Sequence, residues 1–60
     1  PIQFLTHRRI DLAKRLLVES ELPIVEVGLR AGFKNQSHFT TLFRKITAMT
    51  PKAYRNEHLR

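Results

Sequence analysis

Four neutral side chains fall close together in the middle of this chain: Gln36, Ser37, Thr40 and Thr41. Each can donate and accept hydrogen bonds, none is charged, and their spacing puts them on one side of a helix. Arg44 continues that side and Lys45 lies at its margin. A helix face turned only to solvent is usually built from Glu, Lys and other strong helix formers. Two turns of short neutral groups suit a different surface, the edges of base pairs in a major groove. A Gln amide can bind adenine bidentately, Ser and Thr donate or accept, and a Thr methyl can rest on the thymine methyl. The plainer alternative is a solvated polar face. The lack of charge over two successive turns favours base recognition.

The charges around this face suit the same chemistry. The chain has 60 residues and a net charge of +6. Residues 1–33 carry five basic and four acidic side chains, whereas residues 34–60 carry six basic and one acidic. The excess therefore lies beside the neutral face, where it would attract a polyanion. Lys34, Asn35, His38, Arg44, Lys45 and Lys52 are the candidates for nucleic-acid backbone contacts. Such contacts give register and affinity, while base contacts give specificity. His38 is read as a boundary or phosphate-contacting residue, because neither other histidine stands at metal-ligand spacing from it. No metal or other cofactor is expected.

Other classes fit poorly. There is no cysteine, hence no disulfide framework, thiolate zinc site or cysteine nucleophile. No paired carboxylates, Gly-rich phosphate loop or nucleophile beside a base suggest an enzyme. No apolar run reaches the length of a membrane span, and the apolar stripes are needed for a core. A chain beginning at Pro1 is expected to be a piece of a longer protein.

The elements that position the neutral face can be read from periodicity. Phe39, Leu42, Phe43 and Ile46 recur at i, i+3, i+4 and i+7, an apolar back to a helix over about 36–47. Asn35 is its expected N-cap, accepting from the N–H of Ser37 or His38. A shorter helix over about 24–31 precedes it, opened by Pro23 and ended by a left-handed Gly32. Ile24, Val27, Gly28 and Ala31 form its apolar face. Gly28 costs about 1 kcal/mol relative to Ala inside a helix, so another helix is expected to approach closely there. Phe33 is expected to fold back onto the core. The pair reads as a helix-turn-helix over about 24–47.

Before the pair, a long amphipathic helix is expected over about 1–18. Its stripe is Ile2, Leu5, Arg9, Ala13, Leu16 and Leu17, with Ile10 and Leu12 on the flanks. Leu5, Leu16 and Leu17 are expected in the core. Arg9 interrupts the stripe, so it must snorkel, pair with a carboxylate such as Glu26, or reach a phosphate; an ion pair is favoured. Phe4 lies off the stripe, either as a half-exposed aromatic near a frayed end or as a contact for a neighbouring domain. After the pair, Thr50-Pro51 signals a last helix over about 51–58, packing Tyr54 and Ala53. Its N-terminus and that of the helix before it would offer free N–H groups to phosphates.

Together these residues resemble the second helix-turn-helix subdomain of AraC/XylS-type bacterial transcription regulators. The resemblance rests on Arg9-Ile10, Ala13, Leu16-Leu17, Ile24, Val27, Gly28, Gly32-Phe33, Ser37, Phe39, Phe43, Thr50-Pro51 and Tyr54-Arg55, in order and correctly spaced across almost the whole chain. It implies an all-α fold: a small four-helix domain whose homeodomain-like three-helix core includes or follows a long linker helix. It further implies a first helix-turn-helix subdomain before Pro1, adjoining the Phe4 side of the linker helix, and a bacterial cytoplasmic, nucleoid-associated location. Three positions depart from the family pattern. Thr41 stands where many members have Arg, Gly28 where Ala is usual, and Ala48 where Gly is common. If Ala48 keeps a left-handed conformation, it costs about 1 kcal/mol or more.

The expected function is sequence-specific binding of double-stranded DNA as part of a transcription regulator, with no enzymatic activity. The helix over about 36–47 would lie in the major groove. The rival reading is a helical protein-interaction module that docks a sister subdomain or RNA polymerase.

Overall fold

The computed structural model describes residues 2–58, with side chains described from Leu5 onward. Its elements are α1 (Ile2–Glu19), α2 (Ile24–Arg30), α3 (Gln36–Thr47) and α4 (Pro51–Glu57), with no strand among the described residues. The expected all-α, four-helix class is therefore observed. The reading of Phe4 lies outside the described side chains.

One core joins all four helices. Ile10, Ala13 and Leu17 of α1 meet Val27 and Ala31 at α2, Phe33 in the turn, and Phe39 and Phe43 of α3. Leu16, Leu22, Ile24, Leu42, Ile46 and Tyr54 pack around them, partly buried. The four apolar positions of α3 thus all face inward, as their period required. In α1 the stripe is displaced from the expected one. Ile10 is 1% exposed, whereas Leu5 is 49% exposed. The reason is coverage: no residue from Leu5 to Arg9 is buried, because the first turns of an 18-residue helix extend beyond the two seven-residue helices packed on it. Leu16 is only partly buried, and Ala53 is exposed rather than packed.

The aromatic rings form a connected series of tilted and edge-to-face contacts through the core. Phe33 lies 5.2 Å from Phe39, Phe39 lies 5.6 Å from Phe43, and Phe43 lies 5.4 Å edge-on to Tyr54. Such pairs prefer tilted and edge-to-face geometry and contribute about 0.5–1.5 kcal/mol each beyond their burial. They tie α3 to the turn before it and to the helix after it.

The connections are set by local chemistry. After α1, the Ser20 hydroxyl donates to the Leu16 carbonyl at 2.6 Å and accepts from the Leu22 N–H at 3.3 Å. Arg55 closes the same helix end from α4. Its Nε donates to the Leu17 carbonyl at 3.0 Å and its Nη2 to the Ser20 carbonyl at 3.4 Å. A cation at the carbonyl end of a helix satisfies orphan acceptors and complements the dipole. Thr50 caps α4 by accepting from the Ala53 N–H at 3.1 Å, with a buried Pro51 at the first position.

Candidate nucleic-acid interface on α3

The two ends of α2 and α3 that meet at the turn determine how α3 is presented. Ala31 ends α2, and Gly32 follows with φ 104°. Phe33 N–H donates to the Gly28 carbonyl at 3.0 Å, and Gly32 N–H donates to the Leu29 carbonyl at 3.1 Å. This pair of bonds is the Schellman arrangement, which a left-handed glycine permits without steric cost. Gly32 also has the stem of Arg9 against it: a β-carbon there would lie 3.0 Å from Arg9 Nε and 3.4 Å from its Cδ. Arg9 therefore lays its side chain over the turn instead of pairing with Glu26. Glu26 pairs with Arg30 one turn along α2, at 3.2 Å. That i,i+4 partner was closer in the chain, and it left the Arg9 stem to cover a backbone without a side chain.

Gly28 sets the distance between α2 and α3. A β-carbon built on it would meet Phe39 Cδ2 at 2.7 Å, Cγ at 3.0 Å and Cβ at 3.3 Å. The close approach expected from a glycine on an apolar helix face is thus an approach by Phe39. Asn35 then starts α3 by accepting from the His38 N–H at 2.8 Å.

At the far end of α3, Ala48 has φ 65° and ψ 13° and donates its N–H to the Arg44 carbonyl at 2.8 Å. It is left-handed and is not glycine. The Thr47 hydroxyl helps to hold this turn. It lies 2.8 Å from the Phe43 carbonyl and 3.0 Å from the Met49 carbonyl, and accepts from the Met49 N–H at 3.2 Å.

With α3 held in this way, Gln36, Ser37, Thr41, Arg44 and Lys45 are exposed, and Thr40 is half-buried beside them. Two shallow depressions run along this face. One is lined by Gln36, Ser37, Thr40 and Thr41, the other by Thr40, Thr41, Arg44 and Lys45. Lys34, Asn35, His38 and Lys52 are also exposed. His38 is exposed yet oriented, since its ring stands edge-on to the buried Phe33 at 5.8 Å.

Charge pairing separates the two halves of the molecule. Lys14–Asp11 at 3.9 Å, Arg15–Glu19 at 3.8 Å and Arg30–Glu26 at 3.2 Å all lie within α1 or α2. Among the described residues, no carboxylate pairs with Lys34, Arg44, Lys45 or Lys52. The six basic residues after Phe33 are not equivalent, however. Arg55 is half-buried against α1 and is a structural residue. In the sequence, its place in the Tyr54-Arg55 pair is the one sign of a role beyond its charge.

Among the described residues there is no group of His, Asp or Glu side chains that could hold a metal, and no helix is long and apolar enough to cross a membrane.

Comparison with known proteins identifies the family of the chain. A family model described as "Helix-turn-helix domain" matches residues 1–57. The probable transcriptional regulator LumQ of Photobacterium leiognathi is 39% identical over 54 residues, which are 90% of this chain and 22% of that protein. The transcriptional activator NphR of Rhodococcus sp is 39% identical over 57 residues, 95% of this chain and 17% of that protein. The HTH-type transcriptional regulator ExsA of Pseudomonas aeruginosa is 38% identical over 55 residues, 92% of this chain and 20% of that protein. The chain thus spans about a fifth of the length of these relatives. No solved structure matches it. The chain belongs to the helix-turn-helix family of AraC/XylS-type transcriptional regulators, a DNA-binding domain of transcription regulation.

Proposed function

We propose that α3 enters the DNA major groove, with Gln36, Ser37, Thr40 and Thr41 at base edges. Lys34, Asn35, His38, Arg44, Lys45 and Lys52 contact the phosphate backbone around them. The observation that carries this reading is the contrast in pairing: Lys34, Arg44, Lys45 and Lys52 have no carboxylate partners among the described residues, while Lys14, Arg15 and Arg30 of α1 and α2 do. Unpaired cations around a neutral hydrogen-bonding face suit a ligand with charge at its margins and hydrogen-bonding edges at its centre.

The 60 residues are one helix-turn-helix subdomain of a longer regulator, with α1 as the helix that links it to a sister subdomain. Alone it covers part of an operator and binds weakly, with a Kd of about 10⁻⁴–10⁻⁶ M at physiological salt. A salt titration tests the reading. Neutralising phosphates with Lys34, Arg44, Lys45 and Lys52 releases counterions, so log K should fall against log salt with a slope of about −3 to −4. A slope near zero would refute it.

A second reading concerns the exposed apolar residues of α1 and α2. Leu5 and Leu12 of α1 and Val25 and Leu29 of α2 are large apolar side chains left exposed. They favour a protein-docking role for α1 and α2, with the sister subdomain against α1 and RNA polymerase as a further candidate partner. This role is compatible with DNA binding through α3. It becomes the principal function if the titration shows no salt dependence.

A further inference from the structure

We propose that the first two turns of α3 select A·T base pairs, with Thr41 reading a thymine methyl group and Gln36 an adenine about two base-pair steps away. This rests on the major-groove reading above and specifies its target. Three observations lead to it.

The first is which groups are missing. Guanine is recognised chiefly by bidentate Arg or Lys, and cytosine by Asp or Glu. From Gln36 to Thr41 there is no Arg, Lys, Asp or Glu. The first long cation on this face is Arg44, two turns after Gln36. A bidentate cation contact to guanine from α3 is therefore available only toward the C-terminal end of the helix.

The second is reach. Ser37, Thr40 and Thr41 are short, so they meet base edges only if the helix backbone itself lies deep in the groove. Nothing bulky prevents this, since Phe39, Leu42, Phe43 and Ile46 all face inward. Phe39 seated on Gly28 also holds α3 rigidly against α2, so the depth is set by packing. A deep, uncharged surface bearing Thr methyl groups has its best apolar partner in the thymine methyl, the only methyl group in the major groove of unmodified B-DNA.

The third is register. At 1.5 Å per residue, Gln36 and Thr41 are separated by about 7–8 Å along α3, roughly two base-pair steps of 3.4 Å. The two side chains therefore address pairs about two steps apart within one short run. Arg44 lies about one further step on.

The test is selection from a duplex pool with a randomised centre one helical turn long, using the chain in its natural full-length context. The wild type and Thr41→Ser are then compared on the selected duplex and on copies in which each thymine in turn is replaced by uracil. Serine keeps the hydroxyl and removes the methyl, and uracil removes the partner methyl. The wild type should select a run of A·T pairs. One thymine-to-uracil change within it should weaken wild-type binding about three- to fivefold, the size expected for one buried methyl-sized contact. Thr41→Ser should be insensitive to that same change. Thr41→Arg gives an independent check on an exposed position and should shift one column of the selected motif to guanine. A guanine-rich motif under the first turns, or equal uracil sensitivity in wild type and Thr41→Ser, would overturn the base assignment and leave groove binding intact. Failure to retain any duplex in a salt-dependent way would overturn the groove reading itself.

Discussion

The two helices that flank the Gly32 turn, α2 and α3, are built by opposite means. α2 has seven residues, no side-chain N-cap and an outer surface carrying Val25 and Leu29. A helix of two turns has no stability alone, so α2 exists because Val27, Gly28 and Ala31 are buried. α3 has twelve residues, a side-chain cap at its start and a left-handed residue at its end. Its back supplies two fully buried phenylalanines and its front is polar. The comparison separates two jobs. α2 is a support whose inner face is specified, while α3 is specified on both faces, inside by packing and outside by what it has to meet.

The largest expected effect comes from placing a charge on each outer face. Thr41→Glu puts an anion where DNA is proposed to lie, and juxtaposed like charges cost several kcal/mol. DNA binding should fall by two orders of magnitude or more, about 3 kcal/mol. Leu29→Glu adds the same charge to α2 at a position 52% exposed. It should leave the fold intact and change DNA affinity by less than about threefold, within the range of long-range screened effects. Fluorescence anisotropy on one duplex measures both. Equal losses from the two variants would mean that net charge, and not the α3 face, governs binding.

The support of α3 extends beyond α2 to α4, and Arg55 is the point at which that support can be broken. Its two bonds, to the Leu17 carbonyl of α1 and the Ser20 carbonyl just after it, join the last helix to the end of the first. Tyr54, beside it, stands edge-on to Phe43 of α3. Arg55→Ala removes a charge-assisted pair of hydrogen bonds and leaves part-buried acceptors, a loss of about 2 kcal/mol. For a domain of this size that is a fall in Tm of roughly 10 °C. Arg55→Lys keeps the charge but not the two-donor fork, and should recover only part of the loss. Thermal melts by circular dichroism decide it. A change below about 2 °C for Arg55→Ala would show that α4 is held without the clamp.

Arg55 also marks the boundary of what could be read from the chain alone. Features that depend on near neighbours were legible. Asn35, Gly32, Thr50-Pro51 and the four apolar positions of α3 each act within a turn or two, so spacing identified them. Features that depend on which helix covers which were not. Leu5 and Ile10 are equally apolar, and only the extent of α2 and α4 along α1 decides that Ile10 is buried and Leu5 is not. Arg9 and Arg55 look alike as charges in a list of residues. One proves to overlie Gly32 and the other to cap a helix 38 residues away in sequence. The proposed contact face belongs to both kinds: its polar character was visible in the spacing, while the half-burial of Thr40 and the edge-on ring that orients His38 needed the packed structure.

The contact between the two helices can be altered at Gly28. Gly28→Ala should gain about 1 kcal/mol of helix propensity. Against this, its methyl would lie 2.7 Å from a Phe39 ring that is fully buried between Phe33 and Phe43. Phe39 Cβ is also close, at 3.3 Å, so rotation of the ring does not relieve the overlap and α3 must move. Overpacking of this kind costs about 1–3 kcal/mol. The expected net result is a loss of about 1 kcal/mol, with aromatic-ring proton shifts at Phe39 that report the displacement. A variant more stable than the wild type would show that the interface has room the static packing does not reveal.

The smallest effect tests the ends of the two helices, where they differ most directly. α2 leaves through Gly32 at φ 104° and α3 through Ala48 at φ 65°, both left-handed. Alanine in that region suffers the clash of Cβ with the following carbonyl oxygen, about 1–2 kcal/mol, which glycine avoids. Ala48 is exposed, and its N–H bond to the Arg44 carbonyl is independent of the side chain. Ala48→Gly therefore removes strain without removing a buried contact. Part of the gain is offset because glycine also frees the unfolded chain, which leaves a stabilisation of about 0.5–1 kcal/mol. The reciprocal change, Gly32→Ala, should destabilise by more than that, because it adds left-handed strain at φ 104° and brings a methyl to 3.0 Å from Arg9 Nε, which must shift slightly. Chemical denaturation of the two variants at unchanged m-value makes the comparison. If Ala48→Gly gives no gain, the Thr47 hydroxyl and its contacts to Phe43 and Met49 are holding the turn strongly enough that the residue at position 48 no longer matters.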